Sequence, residues 1–125
     1  MLEFFELEEK SGYVSLYDNH ITINKSLMEY LKGAYRARIA IDKESSTVHI
    51  YPITKDYALS GELKESSLLQ ISISKTYARI CSKPLIEYLA KSFGIVILKK
   101  EFKRFNARYD ENKKVIIVDM REEVK

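Results

Sequence analysis

His20-Ile-Thr-Ile-Asn-Lys-Ser-Leu-Met-Glu-Tyr-Leu31 returns 58 positions later as Ala78-Arg-Ile-Cys-Ser-Lys-Pro-Leu-Ile-Glu-Tyr-Leu89, with Lys, Leu, Glu, Tyr and Leu identical at the C-terminal end. In each copy a short alternating apolar run leads straight into a helical pattern. A strand-into-helix element used twice is the signature of a duplicated unit.

Working outward from the first copy, Tyr13-Val-Ser-Leu-Tyr17 alternates and is closed by Asp18-Asn19, so that it and His20–Ile23 read as a hairpin. Ser26-Leu-Met-Glu29 has capping-box spacing, and Gly33 offers a left-handed stop after two turns. A helix this short needs Leu27, Tyr30 and Leu31 packed on a sheet. Next, Tyr35, Ala37, Ile39 and Ile41 share one face of a strand and Arg36 and Arg38 the other. Asp42–Ser46 makes the turn, and Thr47–Tyr51 returns before Pro52 ends it. Residues 13–52 are therefore a β-β-α-β-β unit.

Residues 53–68 show no sustained period and read as a connection. The pattern restarts at Leu69, Ile71 and Ile73, breaks at Lys75-Thr-Tyr-Ala78 and resumes at Arg79-Ile-Cys81. Ser82 precedes Lys83-Pro84, where proline fits a first helical turn; Leu85, Ile86, Leu89 and Phe93 line that helix, and Gly94 stops it. The copies then diverge through an insertion near 95–104, before a last hairpin of Phe105–Tyr109 and Val115–Met120. The second unit spans 69–120. Residues 1–12 form an acidic arm or an added strand, and 121–125 a tail. The expected fold class is mainly β with two short helices (α+β), built from two tandem β-β-α-β-β repeats.

A chain of 125 residues, 46% hydrophobic, supports one core. Half of it is marginal alone, so the copies share a core or are completed by a second chain. A homodimer or higher homo-oligomer is expected. The single cysteine, Cys81, cannot form an intrachain disulfide, and beside Ile80 it is expected as a packed thiol. With no signal peptide and no long apolar run, the expectation is a cytoplasmic protein without membrane contact.

Charge is unevenly placed. Residues 1–62 carry 7 basic and 10 acidic groups, residues 63–125 carry 14 and 8. Lys99-Lys-Glu-Phe-Lys-Arg-Phe-Asn-Ala-Arg108 holds five cations against one acid, interleaved with Phe102 and Phe105. Cations among aromatics suit phosphates and bases, although lysines also guard sheet edges. The candidate DNA-binding residues are Lys25, Arg36, Arg38, Arg79, Lys83, Lys99, Lys100, Lys103, Arg104 and Arg108. Arg36, Arg38, Arg79 and Lys83 are expected on one flat sheet face. The competing expectation is a solvated face paired with Asp42 and Glu44.

The order of elements resembles the swapped-hairpin barrels of the AbrB/MraZ/SpoVT group of bacterial DNA-binding regulators, most closely in the tandem MraZ-like arrangement. That family runs through a Gly-Arg-Ile-x-Ile-Pro strand, a short helix ending Leu-Gly, and a hairpin. Asn19–Asn24 followed by Leu27–Gly33 stands there in copy one, and Ala78–Cys81 in copy two. Neither copy has the glycine or proline, only Arg79 keeps the arginine, and aligning it shifts the second helix by one residue. The resemblance implies interleaved units completing a barrel and hairpin-borne arginines reaching phosphates, in a transcriptional or mobile-element regulator.

Catalysis is not expected. His20 and His49 lie in alternating strands without metal-ligand spacing, so neither metal nor cofactor is expected. The four glycines stand apart, which excludes a phosphate loop or a nucleophile elbow. Nine tyrosines include Tyr30 and Tyr88 at matching positions, expected in the core under each helix. The other tyrosines suit a protein interface, which keeps open a second function, an antitoxin-like adaptor with a protein partner.

Overall fold

The computed structural model describes residues 1–5 and 12–124, so the acidic stretch 6–11 lies outside the described residues. In chain order the elements are β1 (Gly12–Leu16), β2 (His20–Asn24), a 3-10 helix (Lys25–Leu31), β3 (Arg36–Asp42) and β4 (Thr47–Ile53). Then come α1 (Lys55–Ala58), a 3-10 turn (Glu65–Ser67), β5 (Leu69–Gln70), β6 (Ser72–Ile73), β7 (Tyr77–Cys81), α2 (Lys83–Phe93), β8 (Lys103–Asp110) and β9 (Val115–Val124). Among the described residues no helix is long and apolar enough to cross a membrane.

All strands join one antiparallel sheet in the order β5-β3-β4-β9-β8-β1-β2-β7-β6. Its terminal strands β5 and β6 are separated in sequence by Ile71 alone, so the sheet curls into a nearly closed barrel. The segment Leu69–Ile73 bridges the seam, pairing with β3 through Leu69–Gln70 and with β7 through Ser72–Ile73. Strand alternation sends Val14, Leu16, Ile21, Ile23, Ile50, Ile80, Phe105 and Ile116 into one core drawn from both halves of the chain. The chain thus takes the shared-core alternative.

The strand ladders revise several boundaries. Pro52 lies within β4 opposite Ala37. β9 pairs with β4 only as far as Ile50, so Pro52 stands on a locally free edge where a missing amide breaks no ladder bond. The run from Leu69 to Ile73 is split in two, Tyr77 and Ala78 belong to β7, and the connection carries α1. Residues 95–98 join no strand.

The two helical copies differ in kind. Ser82 Oγ accepts from Leu85 N, Pro84 sits in the first turn of α2, and Gly94 closes it in the left-handed conformation. The first copy is a 3-10 helix beginning at Lys25, ahead of the expected capping serine, and Ser26 Oγ donates to Asn24 Oδ1. That difference moves the matched tyrosines. With three residues per turn, Tyr30 lies over Leu27 and stacks on Tyr109 at 4.0 Å, half-buried. With 3.6 residues per turn, Leu85 and Leu89 take the buried face and Tyr88 is left 55% exposed, not in the core. Cys81 is also exposed, because β7 turns Ala78 and Ile80 inward and Cys81 outward.

β9 leaves the β8 ladder between Val118 and Glu123. In this bulge Asp119 accepts from Arg121 N at 3.0 Å, Nε at 3.0 Å and Nη2 at 2.8 Å. Those bonds, the side-chain ones first, hold the Asp119 carboxyl down at about 2. The folded value lies below the unfolded one, so the associated stability is present above about pH 4 and lost as the pH falls toward 2. Both groups are substantially exposed, so solvent screens the pair and the contribution is small. Thermal melting between pH 5 and 2 is expected to fall more steeply for the native chain than for Asp119→Asn, and parallel curves would show that the pair contributes nothing.

Candidate functional site

On β1 the inward Val14 and Leu16 leave Tyr13 and Ser15 outward, and on β2 the inward Ile21 and Ile23 leave His20, Thr22 and Asn24 outward. β7 presents Tyr77, Arg79 and Cys81, and β8 presents Arg104, Asn106 and Arg108. The register sets Arg104 opposite Ser15, Ser15 opposite Thr22, and Thr22 opposite Arg79. One row thus crosses four strands, with an arginine at each end and a small hydroxyl residue at both central places.

Small side chains in the middle of a row flanked by tyrosines make a depression. Tyr13, Tyr77 and Asn24 border one end, Tyr17 and His20 the other, around a groove of about 690 Å³. Three strand-to-strand steps set the backbones of its two arginines roughly 14 Å apart.

Aromatic rings keep the arginines at the two sides. The Arg104 guanidinium lies 5.5 Å from the Tyr13 ring and 5.5 Å from that of Phe102, and the Arg79 guanidinium lies 5.5 Å from the Tyr77 ring. Among the described residues neither has a carboxylate partner; the ion pairs formed are Lys103–Glu123 at 3.4 Å and Arg121–Asp119 at 2.8 Å. Stacking on a ring positions a guanidinium without cancelling its charge. At the far wall His20 stacks on Tyr17 at 4.3 Å, and its Nδ1 lies 2.7 Å from Asn19 Oδ1. Burial first, and then the Arg79 charge, hold its pKa below the usual histidine value, so the ring is neutral at pH 7. In the tautomer that donates Nδ1–H to Asn19, Nε2 is left as an acceptor.

Of the cations picked from sequence, the groove brings Arg79 and Arg104 together. Lys25 follows β2 and Lys83 follows β7 after Ser82, so that on these antiparallel strands they fall at opposite ends of the pair. Lys99 and Lys100 form the turn leading to Phe102, whose ring lies 5.5 Å from Tyr17. Lys103 is engaged by Glu123. Arg108 belongs to a separate depression shared with Asp119 and Arg121.

Arg36 and Arg38 do not share a flat face with Arg79. The bridging segment Leu69–Ile73 stands between β3 and β7, and the sheet curves there to close. Arg36 stacks on Tyr35 at 4.3 Å and donates Nη1–H to the Tyr35 carbonyl at 3.0 Å. Arg38 lines another depression with Tyr51, Ile53 and Tyr57. Sequence reading missed Ser15, Thr22, Tyr13 and Tyr17 as lining. Their signal was the outward phase of two alternating runs, used there only to find strands.

No family model, curated protein or solved structure matches this chain. Among the described residues, no cluster of three or more histidine, cysteine or carboxylate side chains could hold a metal ion.

Proposed function

We propose that this chain binds DNA through the Arg79–Arg104 groove, as a non-enzymatic regulator of transcription or of a mobile element. The observation that carries this reading is the row Arg104-Ser15-Thr22-Arg79, whose terminal cations are held by rings and unpaired by acids among the described residues. Fixed guanidinium groups with free donors suit phosphate oxygens, and their contacts set register on a polyanion. Lys25, Lys83, Lys99 and Lys100 extend the positive field beyond the groove ends.

The pairings also support the finer fold, a tandem swapped-hairpin barrel of the AbrB/MraZ kind. β1 of the first half pairs with β8 of the second, and the β3–β4 hairpin of the first half pairs with β9 and β5 of the second. An offset of 59 residues sets Arg79 on His20 and Ile80 on Ile21, so the family's arginine position would be filled by two residues facing one groove.

Titration of labelled DNA with the protein at rising salt tests the proposal. Binding is expected at low salt, with log affinity falling linearly against log salt. Absence of binding at low salt would remove it in favour of an adaptor role, for which the exposed Tyr88, Val96 and Leu98 supply apolar contact area.

A further inference from the structure

We infer that the nucleic acid taken by this groove is an unpaired strand rather than a duplex, an inference that rests on the DNA-binding reading above. Shape is the first ground. Duplex sequence is read by an element that protrudes into the major groove, which admits a helix or a two-stranded ribbon. Here the arginines flank a depression, and a depression receives a ligand that protrudes into it. Splayed bases protrude; paired ones present only their edges.

The chemistry of the floor agrees. Ser15 and Thr22, between the cations, carry no charge, so the floor suits an uncharged base or sugar while the arginine at each end suits an anion. A single strand alternates in that way, with phosphates along its backbone and a base projecting between them. Two arginines whose backbones stand roughly 14 Å apart are placed to contact separate phosphates with base-bearing sugars between.

The walls supply the third ground. Tyr77, 39% exposed, lines the groove beside Arg79, and Phe102, 46% exposed, stands just outside it beside Arg104 and against the lining Tyr17. Every base has a π face, so rings of this kind hold a strand with little regard to sequence. The His20 ring, stacked on Tyr17 at 4.3 Å, extends the flat wall of the groove.

Anisotropy titrations with three probes decide the matter: a labelled single-stranded oligonucleotide, its duplex, and an abasic strand of equal length. The single strand is expected to bind at least about tenfold more tightly than either other probe, and Tyr77→Ala with Phe102→Ala to weaken it roughly 5- to 100-fold while weakening the abasic strand, which feels only the loosened arginines, by a clearly smaller factor. Both rings are exposed, so an unaltered melting temperature accompanies that loss. Equal or tighter binding of the duplex would overturn the unpaired-strand inference and keep the DNA-binding reading. Equal binding of the abasic strand would overturn it too, since charge alone would then account for affinity. If no probe binds at low salt, both fall.

Discussion

Arg79→Glu together with Arg104→Glu is expected to weaken DNA binding by about 100-fold or more at low salt. On the proposed reading each substitution would remove a charge-assisted hydrogen bond to phosphate and turn a like charge toward the ligand, where no acid among the described residues had already offset the cation. The salt dependence separates this from damage elsewhere. Replacing each by alanine should lower the slope of log affinity against log salt by about 0.7 to 0.9 for every phosphate that is no longer neutralised. Thermal melting should barely move, because both side chains are exposed and neither is in an ion pair with a described residue. Arg36→Glu with Arg38→Glu serves as the contrast. The bridging segment and the curve of the barrel separate those residues from the groove, so affinity should stay within about threefold. If that pair abolishes binding and the groove pair does not, the interface lies on β3.

Gly12→Val is expected to cost about 3 kcal/mol or more of folding stability and to lower the melting temperature by about 10 °C. A Cβ at position 12 would stand 2.4 Å from the Ala107 carbonyl oxygen and 3.0 Å from both Leu27 methyl carbons. The carbonyl cannot retreat without opening the β1–β8 ladder, in which Gly12 is opposite Ala107. Leu27 is buried in the core and cannot turn away freely. One small residue therefore lets the second half's strand and the first half's helix close on the same point. Gly12→Ala should fall between the native chain and Gly12→Val in a denaturant titration. An unchanged midpoint for Gly12→Val would mean that β1 stands farther from β8 than this geometry requires.

Much of the fold was legible because it is local. Alternation in Tyr13–Tyr17 and His20–Ile23 fixed the first hairpin and its inward phase, and Ser82, Pro84 and Gly94 bounded α2. What the repeat could not convey was phase. An offset of 58 residues superposes Leu27 on Leu85 and Leu31 on Leu89, all buried, yet it lays outward His20 on buried Ala78. Side chains alternate with period two along a strand, and because β2 buries Ile21 and Ile23 while β7 buries Ala78 and Ile80, only an odd offset lays inside on inside. The helices and strands of the two copies are thus related by different shifts, and the tyrosines at the common helical shift part company.

The candidate site was half legible. Arg79 and Arg104 were picked out by charge, but nothing local tells that β8 will lie beside β1 while β7 lies beside β2. Only that ladder order turns two distant cations and two small hydroxyl residues into one row. The same ignorance of ladder order placed Arg36 and Arg38 beside Arg79, and treated Cys81 as packed when β7 turns it to solvent.

Between β3 and β7 the ring is held by just two paired residues on each side of Ile71, while the neighbouring β3–β4 stave runs for seven. A hoop parts where its joint is thinnest. That joint borders Arg79, so any widening or relaxation of the barrel is felt at one lip of the groove and leaves the Arg104 lip, anchored on the long β1–β8 ladder, where it was.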